Sequence, residues 1–561
     1  MLKNNSFRWN ILFLLSFIFL LSSCGVKKSL EDKPDLSAYS DAVPQREKIN
    51  DSTYFAGDNF LTKNKYGLWE LYVEGDPLQR GLLTGSLTEE LFNYQEQVFL
   101  DKIYDLVPSK GQRNFLTKFI RWFNRKMYTY IPNEYKAEIF GVSQFADPAY
   151  NDFAPQYLRV LYMHGAHDIG HALQDLMLVG CSSFAVWGDK TADDELLLAR
   201  NFDFYAGDEF AKNKIIAFYA PDEGNKFMQI TWGGFLGVVS GMNDAGLTVT
   251  INAGKSKIPL IAKTPITLVT REILQHASTI DEAIAIAKKR EVFVSESIMV
   301  GSANERRAVL IEVSPKNFGV YEVPNNDELL CTNHFQSEVY KDDRRNQKTI
   351  AESHTEYRFE RLTQLVDKED KMTPEKAVAI LRDTKGIDGE PLGYGNEKAL
   401  NQLLAHHGIV FKPEERKVWV SANPYQLGAF VCYDLDAVFA NRAGNPSATT
   451  LADDALTIAR DPFVETQEFK DYEAYRKLER EVEQTLEQNE DVEKNVILAL
   501  AKNNPEYWKA YFLTGKYYFE RGWYAAALKQ FEIANTKVVT TVPDQKMLDK
   551  YIKKSKRRSG K

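Results

Sequence analysis

The stretch Gly180-Cys181-Ser182-Ser183-Phe184-Ala185-Val186 constrains this chain more than any other. A small residue precedes a thiol, and the thiol opens an apolar, strand-like run. A second such run, LLLARNFDF (196–204), follows the polar turn GDKTADDE. If the backbone were cut before Cys181, one residue would carry both a thiol and a free α-amine. An amine with an ordinary pKa of about 7.7–8.0 can take the thiol's proton and later deliver it to a leaving group. A cysteine in a strand is usually only core. Its company sets this one apart, because Arg200 and Asp203 lie in an otherwise apolar run, where unpaired charge is costly.

The rest of the pattern is organised around that junction. From about 60 to 180 the periodicity is mainly helical. FLTKFIRWFNRKM (115–127) places Phe115, Phe119, Ile120, Phe123 and Met127 on one face, with Lys118, Arg121, Arg125 and Lys126 around the rest. That stripe reads first as core packing and second as a membrane-surface helix. His164, His167 and His171 share a helical face, but no acidic or thiol ligand completes a metal motif, so no metal site is expected. From 181 to about 440 strand patterns at 182–188, 196–204, 214–219, 226–232, 235–240 and 246–252 precede helical patterns at 266–278 and 279–290. Strands then resume at ESIMVGSA and RRAVLIEVS. This order is that of an α+β fold with helix layers over stacked antiparallel sheets. Beyond 450 the chain turns helical, and NPEYWKAYFLTGKYYFERGWYAAALKQFEIA (504–534) has the spacing of one tetratricopeptide-like repeat, which needs neighbours to bury its face. That region is a candidate docking surface for a protein partner.

Lys3 and Arg8 precede the apolar run ILFLLSFIFLL, too short for a comfortable membrane span, as in a secretory signal. LSSC (21–24) resembles a bacterial lipobox. The expectation is a signal peptide over 1–23, membrane attachment through lipidated Cys24, a polar tether over 24–59, and a place in the bacterial cell envelope. An ordinary signal peptide or an uncleaved anchor are the alternatives. The 561 residues carry 70 basic and 78 acidic side chains, a net charge of −8, and so offer no electrostatic case for nucleic acid. Of the four cysteines, Cys331 and Cys432 remain after Cys24 and Cys181, and both lie in apolar runs as buried free thiols would.

GCSSFAVWG, ARNFD, GMNDAGLTVTINAG (241–254), CTNHF (331–335) and YRFER (357–361), in that order, resemble the N-terminal-nucleophile cysteine hydrolases. Among these the chain is most similar to the isopenicillin N acyltransferase type, the acyl-coenzyme A:6-aminopenicillanic acid acyltransferase-like family, with choloylglycine hydrolases as cousins. The resemblance implies a four-layer αββα sandwich over 181–450, a helical propeptide over 60–180 and a helical region over 451–561. It implies self-cleavage between Gly180 and Cys181, no cofactor, and a small-molecule N-acyl substrate whose amide is cleaved, or acyl group transferred, through a Cys181 thioester. Asp203 then holds the α-ammonium, Arg200 lowers the thiol pKa, Asn252 is an oxyanion donor, and Asn333 and Arg358 are further active-site residues. Arg361 is the alternative to Arg358, either asparagine alone could be satisfying a turn, and His334 departs from the bile-salt enzymes. Gly180 is expected for its lack of a side chain and its tolerance of strained backbone. The other readings are a phospholipase-B-like ester hydrolase and a binding lipoprotein without catalysis.

Overall fold

A computed structural model of the chain describes residues 25–560 apart from 108, 174–179, 256–258, 325, 405, 441–449 and 489. Cys24 and the leader lie outside the described residues, as do the side chains of His167 and His171. Two sheets make the body. The larger has eleven strands, in spatial order Glu47–Asn50, Thr53–Ala56, Asn59–Lys63, Trp69–Gly75, Ile215–Pro221, Phe227–Thr231, Ser240–Asn243, Leu247–Ala253, Glu296–Ser302, Arg307–Val313 and Phe318–Tyr321. The smaller has seven, Glu328–Cys331, Ser182–Gly188, Asp194–Phe202, His407–Lys412, Lys417–Ser421, Phe430–Asp434 and Asp453–Ile458.

Strand Asp194–Phe202 shows how the layers form. Successive side chains on a strand point to opposite faces. Leu196 and Leu198 meet Ile216, Phe218 and Met299 of the larger sheet, while Leu197 and Ala199 meet Leu362, Val378 and Leu381 of the helices Thr355–Asp367 and Pro374–Leu381. The larger sheet is likewise covered outside, with Leu71, Val249 and Ile298 packed on Leu83, Ile139, Leu158 and Ile273 of helices. Both faces of each sheet are therefore dry, which is why the strands read as continuous apolar runs. The result is the four-layer αββα sandwich.

The chain before Gly180 differs from the helical expectation. Its first strands extend the larger sheet, and Trp69–Gly75 pairs parallel with Ile215–Pro221, Trp69 opposite Ile215. NFLTK and WELYVEG are runs of five and seven residues around a tight turn with Gly67 at φ +85°, too short for helices. Helices follow at Pro77–Leu87 and Asn133–Ser143. These cross closely at Gly81 and Gly141, where a Cβ would meet backbone at 2.1 and 2.6 Å. Buried Glu138 accepts from Arg80 and Arg271 at 3.0 Å each, tying this helix pair to the helix Ile266–His276. Removing one member of such a buried set costs about 3–5 kcal/mol.

The 24–59 segment is not a free tether. Ser29 is buried, Asp32 pairs with Lys136 at 3.5 Å, Asn133 donates to the Asp35 carbonyl at 2.7 Å, and the Ser40 N–H donates to Asp76 at 2.7 Å. At the other end the smaller sheet runs past 450, since Asp453–Ile458 pairs with Phe430–Asp434. The strand expected at 235–240 begins only at Ser240. Beyond it, helices between Gln467 and Ser559 share a core of Tyr472, Trp508, Phe512 and Phe531 that also takes in Leu403 and Leu427 of the body. The tetratricopeptide-like pair, Trp508–Glu520 and Tyr524–Ala534, closes on Gly515, where a Cβ would lie 2.6 Å from the Phe531 ring. Cys331 and Cys432 are free and buried.

Candidate active site

Strand pairing places Cys181. Ser182 lies opposite Asn201 and Ser183 opposite Arg200, so Cys181 enters the sheet beside the end of Asp194–Phe202. The Gly180 N–H donates to the Asp203 carbonyl at 3.2 Å. Cys181 is buried, and its Sγ accepts from Arg200 Nη2 at 3.6 Å. Arg200 also donates to the Val239 carbonyl at 2.9 Å, to Ser240 Oγ at 2.6 Å and to the Ile251 carbonyl. Its guanidinium lies 4.3 Å from the Phe202 ring centre. These contacts aim a fixed cation at the sulfur. The expected depression of the thiol pKa is nevertheless absent in the uncut chain: burial pushes the Cys181 thiol up, and Arg200 only offsets part of that.

Arg358 lies on the first turn of the helix Thr355–Asp367 and is fully buried. Its Nη1 donates to the Gly180 carbonyl at 2.9 Å, the Cys181 carbonyl at 2.7 Å and Ser182 Oγ at 2.8 Å, and its Nη2 donates to Asn333 Oδ1 at 2.6 Å. Arg361, the alternative, instead forms a two-pronged pair with Asp383 at 2.9 and 3.0 Å. The helix points residues 358 and 361 in different directions, and only the first reaches Cys181.

The two asparagines converge on the same place in different roles. Asn333 holds Arg358 and donates to the Ala253 carbonyl at 3.0 Å. Asn252 accepts from Ser183 Oγ at 2.9 Å, and its amide donates to the carbonyls of Cys331 and Thr332 at 3.2 and 3.1 Å. In the uncut chain its hydrogens are thus committed to backbone rather than to the Gly180 carbonyl. That carbonyl takes its second donor from a residue that sequence reasoning missed, Gln402, whose Nε2 lies 3.1 Å away. No motif marks a glutamine in a loop, so only the fold could reveal it. Gln402 also explains Gly180, where a Cβ would stand 1.9 Å from Gln402 Nε2. A side chain at 180 would have to displace the end of the Gln402 side chain, and with it that donor.

Asp203 is buried and accepts from Gln426 Nε2 at 3.5 Å through one oxygen. The other oxygen has no hydrogen-bond partner among the described residues. Burial raises its pKa to about 7, against the pull of Arg358 and Arg200. A carboxyl raised in the folded state binds more protons there than when unfolded, so its contribution to stability is lost as pH rises from about 3.8 to about 7. The uncut Cys181→Ala chain should therefore melt at lower temperature as pH rises through that window, and Asp203→Asn should flatten the trend. Equal slopes in the two proteins would remove Asp203 as the titrating group.

His164 has both ring nitrogens engaged, Nδ1 with the Val160 carbonyl at 2.8 Å and Nε2 accepting from the Leu236 N–H at 3.0 Å. Burial lowers its pKa to about 4, and it serves as a neutral packing residue. Burial likewise lowers His334 to about 4, and its Nδ1 lies 3.2 Å from both the Thr332 and Thr355 hydroxyls.

An uncharacterised protein of Archaeoglobus fulgidus is 25% identical over 280 residues, covering 45% of this chain and 45% of its own length. The Dictyostelium discoideum protein dcd1B is 22% identical over 284 residues, covering 47% of this chain and 53% of its own. The chain thus spans about half the length of these curated relatives. Among solved structures, a Caenorhabditis elegans N-acylethanolamine-hydrolyzing acid amidase ortholog aligns with a TM-score of 0.31 at 16% identity, over 42% of this chain and 93% of that one. A conjugated bile acid hydrolase from Clostridium perfringens aligns with a TM-score of 0.29 at 13% identity, over 43% and 89%. Residues 190–424, most of the two-sheet body and with it Arg200, Asp203, Asn252, Asn333 and Arg358, match the family described as acyl-coenzyme A:6-aminopenicillanic acid acyl-transferase, the family that the five sequence motifs resemble.

Proposed function

We propose that this chain is a self-cleaving amidohydrolase or acyltransferase that works through a Cys181 thioester on small N-acyl amides. The observation that carries the reading is the grip of Arg358 and Gln402 on the Gly180 carbonyl oxygen, beside the Cys181 thiol. Two donors on that oxygen stabilise the negative charge that develops when the sulfur attacks. In that step the S–C bond forms, the Gly180–Cys181 C–N bond breaks, and the thiol proton passes to the departing nitrogen. Water then releases Gly180 as a carboxylate and regenerates the thiol. The unpartnered oxygen of Asp203 is where the new α-ammonium gains a counter-ion. The cut chain then holds a thiol and its own base on one residue. For substrate turnover, Asn252 joins the donors by giving up one of its backbone acceptors.

A small, mostly apolar pocket of about 60 Å³ is lined by Phe99, Met163, Phe204, Phe210, Trp232 and Phe235, side chains whose chemistry suits contact with an apolar acyl group. Phe204 stacks on Phe202 at 5.7 Å, and Phe202 lies under the Arg200 guanidinium. Hydrolysis is the favoured outcome, with the protein exported and held by a lipid on Cys24. A panel of N-acyl amides of increasing chain length, offered to the cut enzyme, tests the reading. Turnover should rise with apolar length, the acyl group should be trapped on the N-terminal Cys181 of the second polypeptide, and Phe210→Asp should abolish the length preference. Acyl groups trapped on Cys331 or Cys432 would end this reading.

A further inference from the structure

The basic aromatic helix Lys110–Phe123 is only half committed to the core. Phe123 and Met127 are buried, and Ile120 and Trp122 pack against the core. Phe115 and Phe119, on the same stripe, are 63% and 37% exposed. Leu260 is 80% exposed on a loop that reaches this helix, since the Ala262 N–H donates to the Phe123 carbonyl at 3.1 Å. Tyr104, 41% exposed, meets Arg113 nearby through a cation–π contact of 5.0 Å. Large apolar side chains gathered on one outward face mark an interaction site, whereas scattered ones do not.

The same helix and the turn after it carry a dense run of positive charge. Lys110, Arg113, Lys118, Arg121, Arg125 and Lys126 fall between 107 and 133, a stretch with no acidic residue in a chain whose net charge is −8. The start of the described chain also lies here, because a Cβ on Gly25 would sit 3.3 Å from Arg125 Cδ. The described chain therefore starts beside the basic end of the helix, and the segment from Gly25 onward is held to the body by the Asp32 and Asp35 contacts. A helix with exposed aromatics and a cationic flank, next to the start of the described chain, has the chemistry of an interfacial element.

We infer that the face built by Phe115, Phe119 and Leu260 docks on an anionic lipid surface, with Lys110, Lys118 and Lys126 meeting the headgroups. The apolar rings enter the headgroup boundary, and the docking orients the body relative to the bilayer. It does not depend on acylation of Cys24, although an acyl chain there would act as a second signal, and two signals together hold far better than one.

Hydrogen exchange on the full chain tests this. In vesicles of phosphatidylethanolamine with phosphatidylglycerol, amides in 110–126 should exchange about ten-fold more slowly than in vesicles of phosphatidylcholine alone, because a covered helix opens less often. Phe115→Glu with Phe119→Glu should abolish that difference, while cleavage after Gly180 and the melting temperature report that the variant is folded. Equal exchange in both vesicles overturns the inference. So does protection already complete without lipid, which would place the leader or a second copy on this face. Cys24→Ser reads the anchor separately, since it should release the protein from the membrane fraction without changing the headgroup dependence.

Discussion

Cys181→Ala is expected to leave one uncut polypeptide with no turnover, whereas the unmodified protein should yield two chains, the second beginning at Cys181. Loss of a nucleophile costs on the order of a millionfold, so the residual rate should be indistinguishable from background. Intact mass and N-terminal sequencing read the cut, and an N-acyl amide assay reads turnover. Two further substitutions separate the chemistry from the scaffold. Gln402→Ala removes one of the two donors on the Gly180 carbonyl and should slow self-cleavage by about two to three powers of ten, the usual scale for one oxyanion donor. Gly180→Ala should slow it as well, because a Cβ would meet Gln402 Nε2 at 1.9 Å. The combination Gly180→Ala with Gln402→Ala should then be little worse than Gln402→Ala alone. A single intact chain with full activity would sink the mechanism, since the α-amine base would not exist.

Arg358→Ala is the second large effect. It withdraws a buried cation from the Gly180 and Cys181 carbonyls, Ser182 Oγ and Asn333 Oδ1 at once. Each acceptor left buried without a partner costs about 1–3 kcal/mol, so the variant should both melt earlier and cut itself at least about a hundredfold more slowly. Arg358→Lys should not rescue cleavage, because a compact ammonium cannot span acceptors that the guanidinium fork reaches together. Arg361→Ala is the control: its partner is Asp383, half-buried and away from Cys181, and cleavage should stay within a few-fold of normal. If Arg361→Ala blocks cleavage and Arg358→Ala does not, the arginines have been assigned the wrong way round.

Residue pattern alone placed the strands and helices of the body, whereas the four-layer sandwich was an expectation from the family resemblance. Between 182 and 313 the apolar runs are long, bracketed by turns and dry on both faces, so period and length agreed with what formed, apart from the late start at Ser240. Cys181, Arg200 and Asp203 were legible for a chemical reason, because a thiol after glycine and two charges inside apolar strands are expensive unless they are used. Local pattern failed where the outcome depended on a distant partner. WELYVEG became a strand because Ile215–Pro221 offered it a parallel edge, and nothing within seven residues records that edge. Arg358 and Arg361 are equivalent in sequence, and only the direction of one helix separates them. Gln402 and Gln426 carry no motif, yet chain closure brings them to Gly180 and Asp203 from more than 220 residues away. The Phe115 stripe reads as core to any periodicity argument, since burial depends on whether another layer arrives to cover it. Sequence thus determined which residues could bear chemistry and which runs could form layers. The tertiary structure decided which groups share one dry site, because hydrogen-bond reach and burial are properties of chain segments meeting in space.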